Sequence, residues 1–584
     1  MRSILGIRIA VVALVCAPLV CAPLGASAAT YYVNNQSSSC SNSGSGSLTT
    51  PYCTISAALS AHHTAGTTII VLPGIYHEQV TLPGSGSSGS PIVLRGQGSS
   101  GNPVVVDGAA DLGNPSLWVQ YSGNVYRCAS VNSSPAQVFV DDARLTASTA
   151  SPGSIPSNSY EYVSGAGLYA NVGGGNPGTF HAEASNQSFG FDVAGAAWVT
   201  IDGFTIKHND WAGVQITNSN NVVVTNNISR LSGHYGIEAE GSQTILIGSN
   251  VCSENLWSGI GLTSSSTSCT VQDNETHHNV TPNQSSGIYL FGAPGNTIQR
   301  NRTHDNAYNG IMMSTGATNN LLRQNRSWNN QHQGIEDIFC PGNYHVGDVA
   351  YGNSWNGFAV EGGATGTTLY DCVAVDNSRS AGNADMEVDP QSVSGFVASD
   401  NLWWNSTSGP TVVKFNGVNY TSVAAYQAAT GNDARTLQAD PRWVNSAGGD
   451  FRPAAGSPLI DSGNSGVANW PSTDAVGNAR VDDPATPNTG RGSITYADRG
   501  ALEFQPSGAV NQPPVARLAL SPTRGVVPLL INANGSGSSD PEGGRIASYR
   551  FDFGDGTVVG PQPVATAAHT YSACLLYTSD AADE

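Results

Sequence analysis

The sequence predicts an all-β solenoid, and three observations predict it. Short segments of the form glycine–apolar–any–apolar begin at Gly190, Gly213, Gly236, Gly259, Gly287, Gly310, Gly334 and Gly357, and a glycine-less copy begins at Asp385. The steps between them are 23, 23, 23, 28, 23, 24, 23 and 28 residues. A period near 23 with turn residues between short strands is the pattern of stacked coils, one per repeat. Asparagines recur in register with the glycines: Asn209, Asn255, Asn306, Asn330 and Asn353 lie four residues before, and Asn227, Asn250, Asn301 and Asn325 nine before. Stacked about 4.8 Å apart, such amides both donate and accept, so a column of them satisfies itself away from water. Finally, only 11% of the residues are charged while glycine numbers 68, a composition of turns and strands rather than of surface helices.

Within each segment the residues alternate as a strand does. Ile237, Ile260, Ile288, Ile311, Ile335 and Phe358 are expected to face the core, and charge gathers on the outward columns. The repeat resembles the right-handed parallel β-helix of the pectate-lyase-like superfamily, over most of the chain. The resemblance implies a secreted protein acting on an extracellular polysaccharide.

Residues 1–29 read as an export signal, with Arg2 and Arg8 beside an apolar run that ends at Ala26-Ser27-Ala28. Without them, 21 basic residues face 42 acidic ones. That balance excludes nucleic acid as a partner, and no later run is long and apolar enough for a membrane span. A monomer is expected. Residues 30–510 form the β-helix domain: a cap and first coils over 30–120, an inserted β subregion at 114–187, regular coils over 190–405, and a closing segment over 406–510. PYCTISAALSA is expected to plug the open end as a helix, and YTSVAAYQAATG to form another. Cys40 pairs with Cys53 in this reading, and Cys252–Cys269 and Cys340–Cys372 are further candidate pairs. Residues 511–573, with SGSSDPEGG, YRFDFGDG and HTYS, resemble a truncated PKD domain, a partial immunoglobulin-like β-sandwich. The terminus 574–584 matches nothing in that module and reads as a non-native tail.

The candidate chemistry is acidic. In the column two after the glycine stand Glu238, Tyr289, Met312, Glu336 and Glu387; in the column four after it stand Glu240, Glu361 and Asp389. Glu361 and Asp389 are predicted to be neighbours one coil apart, about 4.8 Å, and Glu336 and Glu387 two coils apart, about 9.6 Å. These separations fall near those of retaining and inverting glycosidases. Asp337 stands in a column otherwise apolar, where a lone carboxylate is costly, so either a bulge turns it outward or it has a partner or a cation; Glu336, Asp337, Glu361 and Glu387 are the candidate catalytic residues. Like carboxylates this close repel, so they are expected either around Ca²⁺, held by Asp337, Glu361 and Asp389, or with one kept protonated. Two insertions, before Gly287 and before Asp385, are expected to wall a cleft over these coils. The column Trp211, His234, Trp257, Ser285, Tyr308, His332 and Trp355 runs beside it, and Tyr289, Tyr308, His332 and Trp355 are candidates to bind sugar. Arg302 and Arg326 are candidates to hold substrate carboxylates.

Three functions follow. The resemblance implies first a polysaccharide lyase acting on uronate chains, with a cation neutralising the carboxylate and a base removing the α-proton. Lysine stands only at Lys207 and Lys414, neither of them expected on the acidic columns, so that base would be Arg326, His332 or Tyr308. GFAVEGG and ADMEVDP resemble segments of β-helix glycosidases, which implies a hydrolase using Glu361 and Glu387. The third is a non-catalytic carbohydrate-binding or adhesion scaffold.

Overall fold

The computed structural model describes residues 5–8, 29–377, 382–407, 409–506, 515–522, 528–539, 546, 548–553 and 557–571. The chain winds as a right-handed parallel β-helix whose three faces are long sheets of 12, 12 and 11 strands. Neighbouring strands in each sheet come from successive coils, so residues one repeat apart stand side by side. The first sheet carries the glycine-led segments, from Val80–Thr81 to Val418–Tyr420. The second runs from Ala29–Val33 to Val397–Ser399, and the third from Gly74–Tyr76 to Leu402–Trp404.

The interior is the apolar column the alternation predicts. Ile237, Ile260, Ile288, Ile311, Ile335 and Phe358 are all buried in one continuous cluster. The asparagine ladders form, except that Asn209 stays outside them because Ser232 stands at its place in the next coil. The backbone N–H and side-chain amide of Asn274 both donate to Asn301 Oδ1, at 3.1 and 3.0 Å, and Asn301 donates the same pair to Asn325. A second ladder runs through Asn306, Asn330, Asn353 and Asn377 and ends on Asp385, whose Oδ1 accepts both N–H groups of Asn377.

The ends are covered. The helix Ile55–Ala61, N-capped by Thr54, buries Ile55, Ala58 and Leu59 against the first coils. At the other end the helix Val423–Thr430 buries Val423 and Tyr426, with Tyr426 against Phe415. An unpaired parallel edge over an apolar core is thereby kept from other chains. The inserted subregion folds as two small sheets of five and four strands around its own apolar cluster. Residues 515–571 form separate antiparallel strands around Ile531, Tyr549, Phe551, Phe553 and Tyr571. Most of the expected export signal and the terminal 574–584 lie outside the described residues.

One expectation is corrected, and one open alternative is decided. Cys40 and Cys53 are bonded, but Cys252, Cys269, Cys340 and Cys372 are free and buried. Their positions inside the coil stack make them small core residues. Asp337 does not turn outward. It points into the core, 1% exposed, where Asn343 Nδ2 donates to it at 3.2 Å and Thr367 Oγ1 at 3.0 Å. His345 Nε2 lies 3.2 Å from its other contact point, Oδ2, and His345 Nδ1 lies 3.4 Å from Asp348. The cation that Asp337 needed is this imidazole, which the two acids push up to about 9 against the opposing effect of full burial.

Candidate functional site

The site lies on the first sheet, over the coils from Gly310 to Lys414. Register places Glu336, Ala359, Glu387 and Lys414 in one outward column, which corrects the expectation that Lys414 lies off the acidic columns: the strand Val413–Phe415 continues the sheet beyond the last repeat. Glu336 and Glu387 are thus two coils apart, about 9.6 Å. Glu361 stands in the adjacent outward position of the intervening coil, opposite Ile338. Asp389 follows Val388, the partner of Val360, and accepts from the Gly362 N–H at 2.8 Å.

A column of amides directly before the glycines supports this row. Asn309 Nδ2 donates to Glu336 Oε2 at 2.6 Å, and Asn356 Nδ2 donates to Glu387 Oε2 at 2.8 Å. Between them, Gln333 Oε1 accepts from the Asn356 N–H at 2.8 Å. Asn309 Oδ1 accepts from the Gln333 N–H at 3.0 Å and lies 2.7 Å from His332 Nδ1. An amide oxygen only accepts, so Nδ1 carries the proton and His332 Nε2 keeps its lone pair. Burial holds that imidazole down to about 4, so it is neutral at ordinary pH.

The carboxyls differ in surroundings. Glu336 is 2% exposed, and burial first, then the Glu361 charge, push it up to about 8. Burial, with Glu387 and Asp389 nearby, pushes Glu361 up to about 7. Glu387 instead forms an ion pair with Lys414 at 2.6 Å. One strand pair thus offers a desolvated acid and, two coils on, a carboxylate facing an ammonium, the contrast on which acid–base division of labour rests.

Tyr289 stands beside Met312 in the same outward column, next before Glu336. Tyr308, His332 and Trp355 do line the edge of the site, but they stack on one another: ring centroids are 4.3 Å apart for Tyr308 and His332, and 3.9 Å for His332 and Trp355. Their faces are largely used up within the column, which leaves ring edges and the outer face of Trp355, 43% exposed, for a sugar. Trp211, His234 and Trp257 form a second such stack, where Trp211 Nε1 donates to the buried Glu238.

Arg302 and Arg326 are not part of this row. Both belong to the third sheet, where they are register partners. Asp337 lies on the opposite, inward side of its strand, so the expected calcium trio of Asp337, Glu361 and Asp389 does not assemble. Among the described residues, the trios whose donor atoms converge as for a metal are His77, Asp107 and Glu183, and Asp142, Glu183 and His208. Those already bind Lys207 and Arg230 in an ion-pair network that holds the inserted subregion to the coils. The insertion before Gly287 is present at the edge of the sheet, with Val280 exposed. Residues 378–381 of the second insertion lie outside the described residues.

The amide column was open to sequence reasoning. The residue before the glycine is Phe189, Ala212, Tyr235, Ser258 and Ser286 in the earlier coils, then an amide in three consecutive coils, Asn309, Gln333 and Asn356.

The family described as right-handed β-helix region matches residues 146–282 and 276–374. No curated protein matches the chain in sequence. Among solved structures, one described as XylC in complex with xylose is 14% identical, covering 67% of this chain and 86% of its own, with a TM-score of 0.51. A pectate lyase, Pel9A, is 16% identical over 82% of this chain and 96% of its own, with a TM-score of 0.43. A glycoside hydrolase is 10% identical over 66% and 95%, with a TM-score of 0.46. The likeness to the first is one of fold. The protein is a right-handed parallel β-helix.

Proposed function

We propose that the protein is a glycoside hydrolase that cleaves an extracellular polysaccharide laid along the first sheet. The observation that carries this reading is the pairing of Glu336 with Glu387. Glu336, desolvated and protonated up to about pH 8, donates its proton to the departing glycosidic oxygen as the carbon–oxygen bond breaks. Glu387, oriented by Asn356 and Lys414, takes a proton from the water that attacks the anomeric carbon from the opposite side. A backbone spacing of about 9.6 Å leaves room for that water and is close to the upper end of the ~6.5–9.5 Å carboxyl separation of inverting enzymes. Glu361, between them, is placed to hold a sugar hydroxyl.

A lyase reading retains one supporting observation, the neutral His332 with its free Nε2 lone pair beside Glu336. Incubation with pectate, alginate, glucuronan, xylan and arabinan, with calcium or with chelator, separates the two. Hydrolysis yields reducing ends without the ultraviolet absorbance of unsaturated uronates. Glu336→Gln and Glu387→Gln are each expected to lower kcat by about 10²-fold or more while substrate binding persists. Absorbance that depends on His332 and survives Glu336→Gln would replace this assignment with elimination. Binding without turnover in the wild type would leave a scaffold.

A further inference from the structure

A cavity of about 920 Å³ opens on the third sheet, well apart from the Glu336 row. One wall is solenoid, with Glu275, Arg302 and Arg326 on successive coils. The other is the closing segment, through Gly448–Arg452 and the turn Thr473–Gly477. The closing segment packs tightly just beyond: a Cβ at Gly449 would sit 2.7 Å from the Trp328 ring, and Trp328, Val349, Phe451 and Leu502 share one apolar cluster. Arg326 sits at the border, between Arg302 on the open side and Val349 under the cover.

Four arginines line the cavity, and three are matched. Arg300 makes a two-point pair with Asp273 at 2.8 and 2.7 Å, Arg302 bonds Glu275 at 3.1 Å, and Arg452 pairs with Asp450 at 2.8 and 2.5 Å. Arg326 has no such acid. It is 8% exposed, its Nε meets no acceptor, and no carboxylate among the described residues forms an ion pair with it. Asp474, also in the lining, is occupied by N–H donors of Val476, Asn478 and Glu503. A buried cation without a direct ion pair is costly, and burial, followed by repulsion from Arg302, pulls this guanidinium down to about 10 against the through-space attraction of Asp474, Asp273 and Glu275. The fork geometry of a guanidinium suits a planar carboxylate. The three matched pairs leave outer carboxylate lone pairs on the rim as acceptors for hydroxyl groups.

We propose that this cavity binds a sugar acid, with Arg326 taking its carboxylate and the rim pairs Arg300–Asp273, Arg302–Glu275 and Arg452–Asp450 taking its hydroxyls. The site lies on a different sheet from Glu336, so it stands or falls separately from the hydrolytic assignment. The test is calorimetric titration of the full chain with galacturonate and glucuronate, against galactose and glucose as neutral counterparts, and with inorganic sulfate as a bare anion. The wild type and Glu336→Gln should bind the acids equally and the neutral sugars not measurably. Arg326→Met should weaken the acids about tenfold or more, the effect of losing one charge-assisted hydrogen bond, without lowering the melting temperature. Arg326→Lys, which keeps the charge in place, should retain part of the affinity and serves if the methionine variant does not fold. Equal affinity for acid and neutral sugars, affinity for sulfate alone, or affinity unchanged in both variants would overturn the proposal.

Discussion

At the residue scale, Asn309 decides how Glu336 behaves. Its oxygen is committed to the Gln333 N–H and His332, so its amino group has to face the carboxyl. That hydrogen bond favours the charged form and holds Glu336 below the value that burial alone would give. In the hydrolytic assignment Glu336 must be protonated, so activity is present below about pH 8 and is lost as pH rises through it. Asn309→Ala removes the restraining hydrogen bond. The alkaline limb of kcat against pH should move to higher pH, and kcat at its plateau should fall because the acid is no longer oriented. A limb that stays in place or moves down would show that Asn309 does not act on Glu336. The outward acids were legible from the repeat alone, because register follows from period. Which of them is protonated was not, since that depends first on how deeply each is buried, then on its charged neighbours, and at Glu336 on an amide reaching across from the preceding coil.

At the element scale, the strand Ile335–Ile338 carries a polar residue on its buried face. Asp337 occupies the place of Ala239, Leu262, Leu290, Met313 and Val360 in the interior column. The sequence marked that anomaly but not its partners. His345 interrupts the second-sheet column of Ile247, Val271, Ile298, Leu322 and Leu369, and Asp348 replaces an asparagine at the end of the ladder, accepting from Asn325. Three separate columns are broken in one coil, and only the fold brings the breaks together. An imidazolium between two buried carboxylates is a network in which removal of one member leaves the others uncompensated. His345→Leu restores the apolar column yet should destabilise by about 3–5 kcal/mol. Asp337→Val, His345→Leu and Asp348→Asn together restore all three columns and should be close to neutral, or stabilising. Denaturant titration of the wild type, the single and the triple variant checks this, and a triple variant as unstable as the single one would mean that the coil geometry, not the charge balance, needs these residues.

At the scale of the whole molecule, stability is distributed as a stack with covered ends. Each coil touches chiefly its neighbours, so the stack tolerates length but not an exposed end. The sequence placed the plug helix at the open end and read YTSVAAYQAATG as helical, but did not show that this second helix covers the far end. It did not show that the closing segment returns along the third sheet, since that contact pairs residues far apart in the chain and without periodicity. Trp328, Val349, Val373 and Leu402 of the coils are buried against Phe451, Leu459, Ala475 and Leu502 of that segment. By contrast, the core of residues 515–571 shares no residue with the solenoid core. Two truncations should therefore differ sharply. A chain ending at residue 506 keeps every contact of the solenoid and should melt as the full chain does, with unchanged turnover. A chain ending at residue 405 loses the helix Val423–Thr430 and uncovers both the last coil and the third-sheet apolar strip. It should be recovered as aggregate even though the Glu336, Glu361 and Glu387 row is intact in its sequence. Light scattering and melting curves on the two chains separate these outcomes. A soluble, cooperatively melting 405-residue chain would show that the asparagine ladders and the coil core hold the stack without its cover.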